Sequence, residues 1–159
     1  MLGEWPGGRI SSHSAESRER AAQEEADFRP WDESQPYPSS SIPAQAAAKC
    51  ALLQGKDAFE RFHERVFAAF FGDCRDISDR RVLVEVAADA GLDIARFCAD
   101  FDSGSQKAAV LAELVEGRKE YEGWGVPLAM VGGRYPLVGA VPMEMYRRAI
   151  DLCLGRQEG

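Results

Sequence analysis

The side chains of this 159-residue chain best suited to nucleophilic or redox chemistry are four cysteines, Cys50, Cys74, Cys98 and Cys153. A reactive thiol needs its thiolate stabilised, by a helix N-terminus, a cation, a metal or a second cysteine two residues away. None of the four forms a C-x-x-C pair, and no Cys/His grouping has zinc-site spacing. Cys50, Cys98 and Cys153 fall beside apolar neighbours at helical spacing, as in Ile94, Phe97, Cys98 and Phe101, which reads as buried thiols used as small hydrophobes. Cys74, in "FGDCRD", is the thiol expected at the surface. Arg75 beside it would favour the thiolate slightly, against two flanking acids. A reactive role for Cys74 is the lesser alternative. His63, in "RFHERVF", is expected on a helix surface or its boundary, ahead of proton transfer or metal binding.

A second stretch carries chemistry of a different kind, through its backbone. "GWGVPLAMVGGRYPLVGA", residues 123–140, holds two strand-length apolar runs joined by Gly132-Gly133. That dipeptide suits the positive φ angles of a tight hairpin turn. Pro127 stands at the mouth of the first run although proline cannot donate to a sheet, and Pro136 lies inside the second. Pro136 therefore predicts an edge strand or a bulge. The plain expectation for Pro127 is a trans proline opening an edge strand.

The elements that must hold these residues are mostly helical. "IPAQAAAKCALLQG" has Ser41 as a candidate cap, an early proline and a closing Gly55. "DAFERFHERVFAAFFG" puts Phe59, Phe62, Val66, Phe67 and Phe70 on one stripe and stops at Gly72. "SDRRVLVEVAADAG" starts from Ser78 and buries Val82, Leu83, Val86 and Ala90, while "DIARFCADFDSG" starts from Asp93. "SQKAAVLAELVEGRKEYEG" turns Val110, Leu111, Leu114 and Tyr121 inward. A last helix is expected over 141–154, with Pro142 in its first turn and Gly155 as its stop. Its inward face is Met145 or Tyr146, Ala149, Ile150 and Cys153. Before residue 42 the chain is polar and turn-rich, with eight serines between Ser11 and Ser41. There Phe28, Trp31 and Tyr37 are expected to pin the segment to the body. A lone hairpin is marginal in water, since three or more strands are normally needed. The expectation is that this one packs on helices or that further strands come from outside the chain.

Composition narrows the function. With 45% hydrophobic residues a packed core is expected. The net charge of -7 opposes phosphate backbones, so nucleic acid is not an expected partner. No run approaches the roughly 18 apolar residues of a membrane helix, and "MLGEWPGGRISSHS" lacks the pattern of a secretory signal. The simplest expectation is a cytoplasmic chain with no membrane partner.

From about Tyr37 to Leu154 the order of segments resembles the DsbA-like thioredoxin family, particularly its cytoplasmic FrnE-type branch. The marks are "YPSS" before an alanine-rich helix, "FERFHERVFAAFF", "RDISDRRVLVEVAADAGLD" and "GVPLAMVGGRYPLVGAVP". The resemblance implies an α/β fold, an incomplete thioredoxin-like one. It is divided into a polar arm over 1–41, a helical insertion domain over 42–122 and the closing ββα unit over 123–155. The family's C-x-x-C half has no counterpart in these residues, so the chain reads as truncated and no catalytic residue carries over. What carries over is Val126-Pro127, a bond that the family makes cis, with the preceding backbone offered to an extended substrate. The implied binding residues are Trp124, Gly125, Val126 and Pro127. The implied partners are an extended peptide or a thiol such as glutathione, and a second copy or an upstream partner that completes the sheet. No cofactor and no metal are implied. The resulting function is that of a thiol–disulfide oxidoreductase-type protein, inactive as this chain. The alternatives are a glutathione-dependent isomerase-like protein of the same architecture and a non-catalytic peptide-binding module or remnant.

Overall fold

A computed structural model describes residues 29, 31, 34–121 and 127–156. Among them the chain forms six α-helices and one two-stranded antiparallel sheet, a helix-rich α/β arrangement. It divides into two compact units, Met1–Glu113 and Leu114–Gly159.

In the first unit, α1 (Ile42–Leu53) lies against α2 (Lys56–Phe67), α3 (Arg80–Asp89) and α4 (Ile94–Asp102). Alanine makes α1 the best helix former in the chain and also keeps its sides thin, so three helices approach it closely. Ala47, Cys50 and Ala51 of α1 are fully buried with Phe62, Leu83, Ala87 and Phe97. The rings of Phe62 and Phe97 meet at 5.7 Å, and Phe101 stacks on Phe97 at 5.9 Å. Burying each such ring stabilises by about 1.5–3 kcal/mol.

Cap chemistry places the helix ends. Asp93 caps α4 as expected, its carboxylate accepting from the Arg96 N–H at 3.0 Å. The cap of α3 is Asp79, which accepts from the Arg81 N–H at 2.8 Å; the expected Ser78 instead donates its hydroxyl to Asp76. A carboxylate at the cap also meets the positive helix end, which a hydroxyl does not exploit. Ser41 occupies the cap position of α1, but its hydroxyl accepts from the Gln45 side chain. Gln54 ties α1 to α4, donating to the Asp93 carbonyl at 3.0 Å and accepting from the Asp93 N–H at 2.8 Å.

The second helix ends differently from expectation. After Phe67 it widens into a π-helix over Ala68–Gly72, where the Asp73 N–H reaches the Ala68 carbonyl. The left-handed residue that closes it is Cys74, with φ 52°, rather than a glycine. Trp31 packs on Tyr37 and Phe70 at 4.8 and 5.3 Å, and the Arg29 N–H donates to the Phe71 carbonyl. These contacts pin the segment before α1 through Trp31 and Tyr37, as expected. Phe28 lies outside the described residues.

Helix α5 (Ser105–Glu120) buries Val110, but Leu111 is only half-buried and Leu114 exposed, so the inward stripe expected of it does not form. An ion pair from Lys49 to Glu113 at 2.6 Å joins its first part to α1. In the second unit β1 (Leu128–Val131) pairs with β2 (Tyr135–Val138), and α6 (Met143–Cys153) packs on both.

Candidate functional site

The hairpin is built from its turn. Gly132 and Gly133 take φ 59° and 66°, and the Arg134 N–H closes the turn on the Val131 carbonyl at 3.1 Å. Two positive φ angles in succession match the twist of the strands, a conformation glycine adopts at no steric cost. Val131 pairs with Tyr135, Met130 with Pro136, Ala129 with Leu137 and Leu128 with Val138. Arg134 is thus an extra residue between the turn and the ladder.

At the far end of the ladder the exposed Pro127 accepts a hydrogen bond from the Gly139 N–H at 2.7 Å. A hydrogen-bonded antiparallel pair exchanges two bonds, and here only one can form because proline has no N–H. Hydrogen-bonded and non-hydrogen-bonded pairs alternate along the ladder. Counting from Pro127 and Gly139, the pair Met130–Pro136 is non-hydrogen-bonded. The missing donor of Pro136 therefore faces away from β1, and the hairpin loses nothing by it. This is the edge position expected for Pro136.

Helix α6 is capped at Pro142 and starts at Met143, so the proline precedes its first turn. It buries Ala149, as Leu137 is buried in β2. Tyr146 is half-buried, whereas Met145, Ile150 and Cys153, expected inward, are exposed. Two four-residue strands cover only one stripe of an eleven-residue helix. At its end the Cys153 thiol donates to the Val131 carbonyl at 3.6 Å. A Cβ on Gly132 would stand 2.5 Å from the Cys153 sulfur, so Gly132 is required both for φ and for space.

None of the four thiols occupies the first turn of a described helix. Cys50 is fully buried in α1, and burial, with the charge of Asp100 adding to it, pushes its thiol up to about 11. Cys74 is buried, contrary to the expectation that it is the surface thiol. The Asp73 and Arg75 N–H groups fold the chain back onto the Ala68 and Ala69 carbonyls and carry Cys74 inward with it. Cys98 is half-buried beside Arg80, whose guanidinium is held by Asp102 at 2.6 and 2.7 Å. The exposed thiol is Cys153. His63 sits on the surface of α2, stacked on Phe59 at 5.4 Å and tilted against Phe67 at 4.7 Å, in the surface position expected for it.

Among the described residues no three His, Cys, Asp or Glu side chains group to hold a metal, and no helix is long and apolar enough to cross a membrane. Of the binding residues expected from the sequence, Pro127 is described; Trp124, Gly125 and Val126, and with them the Val126-Pro127 bond, lie outside the described residues. The sequence reading missed Gly139 and Cys153, which fix Pro127 and the turn. "VGAVP" directly after a strand was the available signal for Gly139, since glycine tolerates its φ of 84°. A family model described as a DSBA-like thioredoxin domain matches residues 15–151.

Proposed function

We propose, for a chain that belongs to the DSBA-like thioredoxin domain family, that these residues bind an extended peptide beside Pro127 and do not themselves exchange disulfides. The chain is of thiol–disulfide oxidoreductase type at the level of its family. The residues proposed for this site are Trp124, Gly125, Val126 and Pro127, with the Val126 backbone as the group that meets the peptide. The observation that carries this reading is the Gly139 to Pro127 hydrogen bond at 2.7 Å. It holds the proline in the ladder by its carbonyl alone and leaves its ring exposed at the strand mouth.

Thiol exchange needs an accessible thiolate and a resolving partner. The sequence holds no C-x-x-C. Cys50 and Cys74 are buried, Cys98 stands mid-helix, and Cys153 ends α6, where the carbonyl end of a helix disfavours an anion. A peptide site without exchange chemistry is a binding module.

Two measurements test it. In an insulin-reduction assay with dithiothreitol, the chain is expected to leave the onset of turbidity where dithiothreitol alone puts it; an earlier onset overturns the inactivity. The probe for binding is a fluorescein-labelled, end-blocked peptide of alternating valine and threonine with a lysine at each end. By anisotropy, Pro127→Ala is expected to weaken its binding about tenfold, equivalent to the loss of about 1.4 kcal/mol. Unchanged binding by Pro127→Ala overturns the assignment of the site.

A further inference from the structure

A row of aromatic rings runs along one side of α2 and the π turn that follows it. Phe59 stacks on His63 at 5.4 Å, and His63 tilts against Phe67 at 4.7 Å. Phe67 meets Phe71 at 5.6 Å, and Phe71 meets Phe70 at 4.7 Å. Residues four apart share a helix face, so Phe59, His63, Phe67 and Phe71 form one continuous surface. That surface is not sunk in the core: His63 is exposed, Phe67 is 51% exposed, and Phe59 and Phe71 are half-buried. A contiguous apolar row of this kind marks a contact surface, where single exposed rings would not. At the Phe70 end its occupant is already seen, since Trp31 and Tyr37 pack on Phe70 at 5.3 and 6.1 Å. The backbone anchor beside them is the Arg29 N–H, which donates to the Phe71 carbonyl at 2.8 Å. After Arg29 the chain turns to Phe70. Before Arg29 it departs from the same hydrogen bond, beside Phe71 and Phe67.

We propose that residues 22–28, "AQEEADF", the segment of this chain that enters Arg29, lie along that row, with Phe28 against Phe67 and Phe71. Position selects this occupant. Consecutive Cα atoms stand about 3.8 Å apart, so the anchored Arg29 brings Phe28 to the Phe71 end of the row. Length agrees with it. Phe59 to Phe71 spans about 18 Å at the helical rise, a distance that five or six extended residues cross. Phe28 supplies the ring, and Ala22 and Ala26 are small enough to leave room for the rings they cross. A tethered segment also arrives at high effective concentration and avoids the entropy cost of association. A second copy pays that cost and meets repulsion as well. Residues before Leu114 carry thirteen basic and twenty acidic side chains, so two such units brought face to face oppose each other. The chain on either side of Arg29 thus holds the π turn, Trp31 and Tyr37 through Phe70 and Phe28 through Phe71 and Phe67.

The test uses the full chain with Cys98→Ser and Cys153→Ser, which leaves only the buried thiols Cys50 and Cys74, and places a nitroxide on Ala26→Cys. The readout is the loss of amide NMR signal near the nitroxide, measured against the same sample after reduction with ascorbate. The His63 and Phe67 amides are expected to lose more than half of their signal, and the Phe59 amide less. Full signal at His63 and Phe67 overturns the proposal. Adding Phe28→Ala to the labelled chain is expected to restore at least half of the lost signal at Phe67, and an unchanged loss overturns Phe28 as the anchor. Should that variant lose its helical circular dichroism, the result in the chain that keeps Phe28 decides alone. A mixture of nitroxide-bearing chains with isotope-labelled chains that carry no nitroxide separates the two occupants. Full signal at Phe67 in the mixture is the expected result. Signal loss there seats a second copy on the row and overturns the choice of occupant.

Discussion

The helical unit closes on itself: α1 to α4 surround Cys50, Phe62, Leu83 and Phe97 with no exposure left. The ββα unit does not. Of its described residues Leu137 and Ala149 are buried, while Val138, Met143, Met145, Ile150, Leu152 and Leu154 are exposed, Met143 by 66% and Leu154 by 58%. Charge divides the same way. Residues before Leu114 carry thirteen basic and twenty acidic side chains, so the whole net charge of -7 belongs to them and the ββα unit is balanced. Helices satisfy their backbone internally and need only side-chain packing, so four short ones make a finished core. A strand satisfies its backbone only through a neighbour, and a two-strand sheet leaves two edges and one face over. A charged surface keeps the first unit solvated. The second presents apolar and backbone groups that favour contact.

Substitutions in each unit sharpen this contrast. The largest effect is expected from Phe62→Ala, which empties the centre of the helical core. It should cost about 3–5 kcal/mol, read as a fall in the urea midpoint followed by helical circular dichroism. Gly132→Ala comes next, because a side chain there meets both a left-handed φ and the Cys153 sulfur. A loss of about 1–3 kcal/mol is expected, confined to the hairpin and α6 and seen as faster amide exchange of Val131 and Tyr135. The Phe62 core should be untouched by it.

The smallest effect belongs to Asp102, whose carboxyl is held below the usual carboxylate range by its hydrogen bonds to Arg80. A carboxylate lowered on folding stabilises when ionised. Its contribution is full above the unfolded value of about 3.9 and is lost as the pH falls through the folded one. Asp102→Asn should therefore lower the midpoint slightly at pH 7 and not at all in strong acid, since exposed pairs contribute little.

Sequence periodicity identified the six described α-helices, the Gly132-Gly133 turn and the order of elements. Those features are local: Phe62 and Phe97 announce a buried stripe, and Asp93 a helix start, without knowledge of the rest. The thiols were misjudged where a non-local choice intervened. "FFGDC" offers Gly72 as the natural stop, yet the chain spends an extra residue in a π turn and closes at Cys74 instead. The faces of α5 and α6 were over-assigned for another reason. Apolar residues at helical spacing predict burial only where a neighbour covers them, and Leu114, Ile150 and Cys153 stay exposed, Cys153 although its thiol reaches the Val131 carbonyl. At the candidate site the proline and its strand were legible. The pairing of Pro127 with Gly139, which fixes the alternation along the ladder, was not, because it joins residues that lie apart in the sequence.

The central claim is that the ββα unit binds through its backbone and not through a thiol. The most direct measurement is an anisotropy titration of the valine–threonine peptide with the chain in which Cys50, Cys74, Cys98 and Cys153 are all serine. A Kd within about twofold of that of the unsubstituted chain is expected, a difference of less than about 0.5 kcal/mol. Loss of peptide binding in this variant, with its helical content intact, would contradict it.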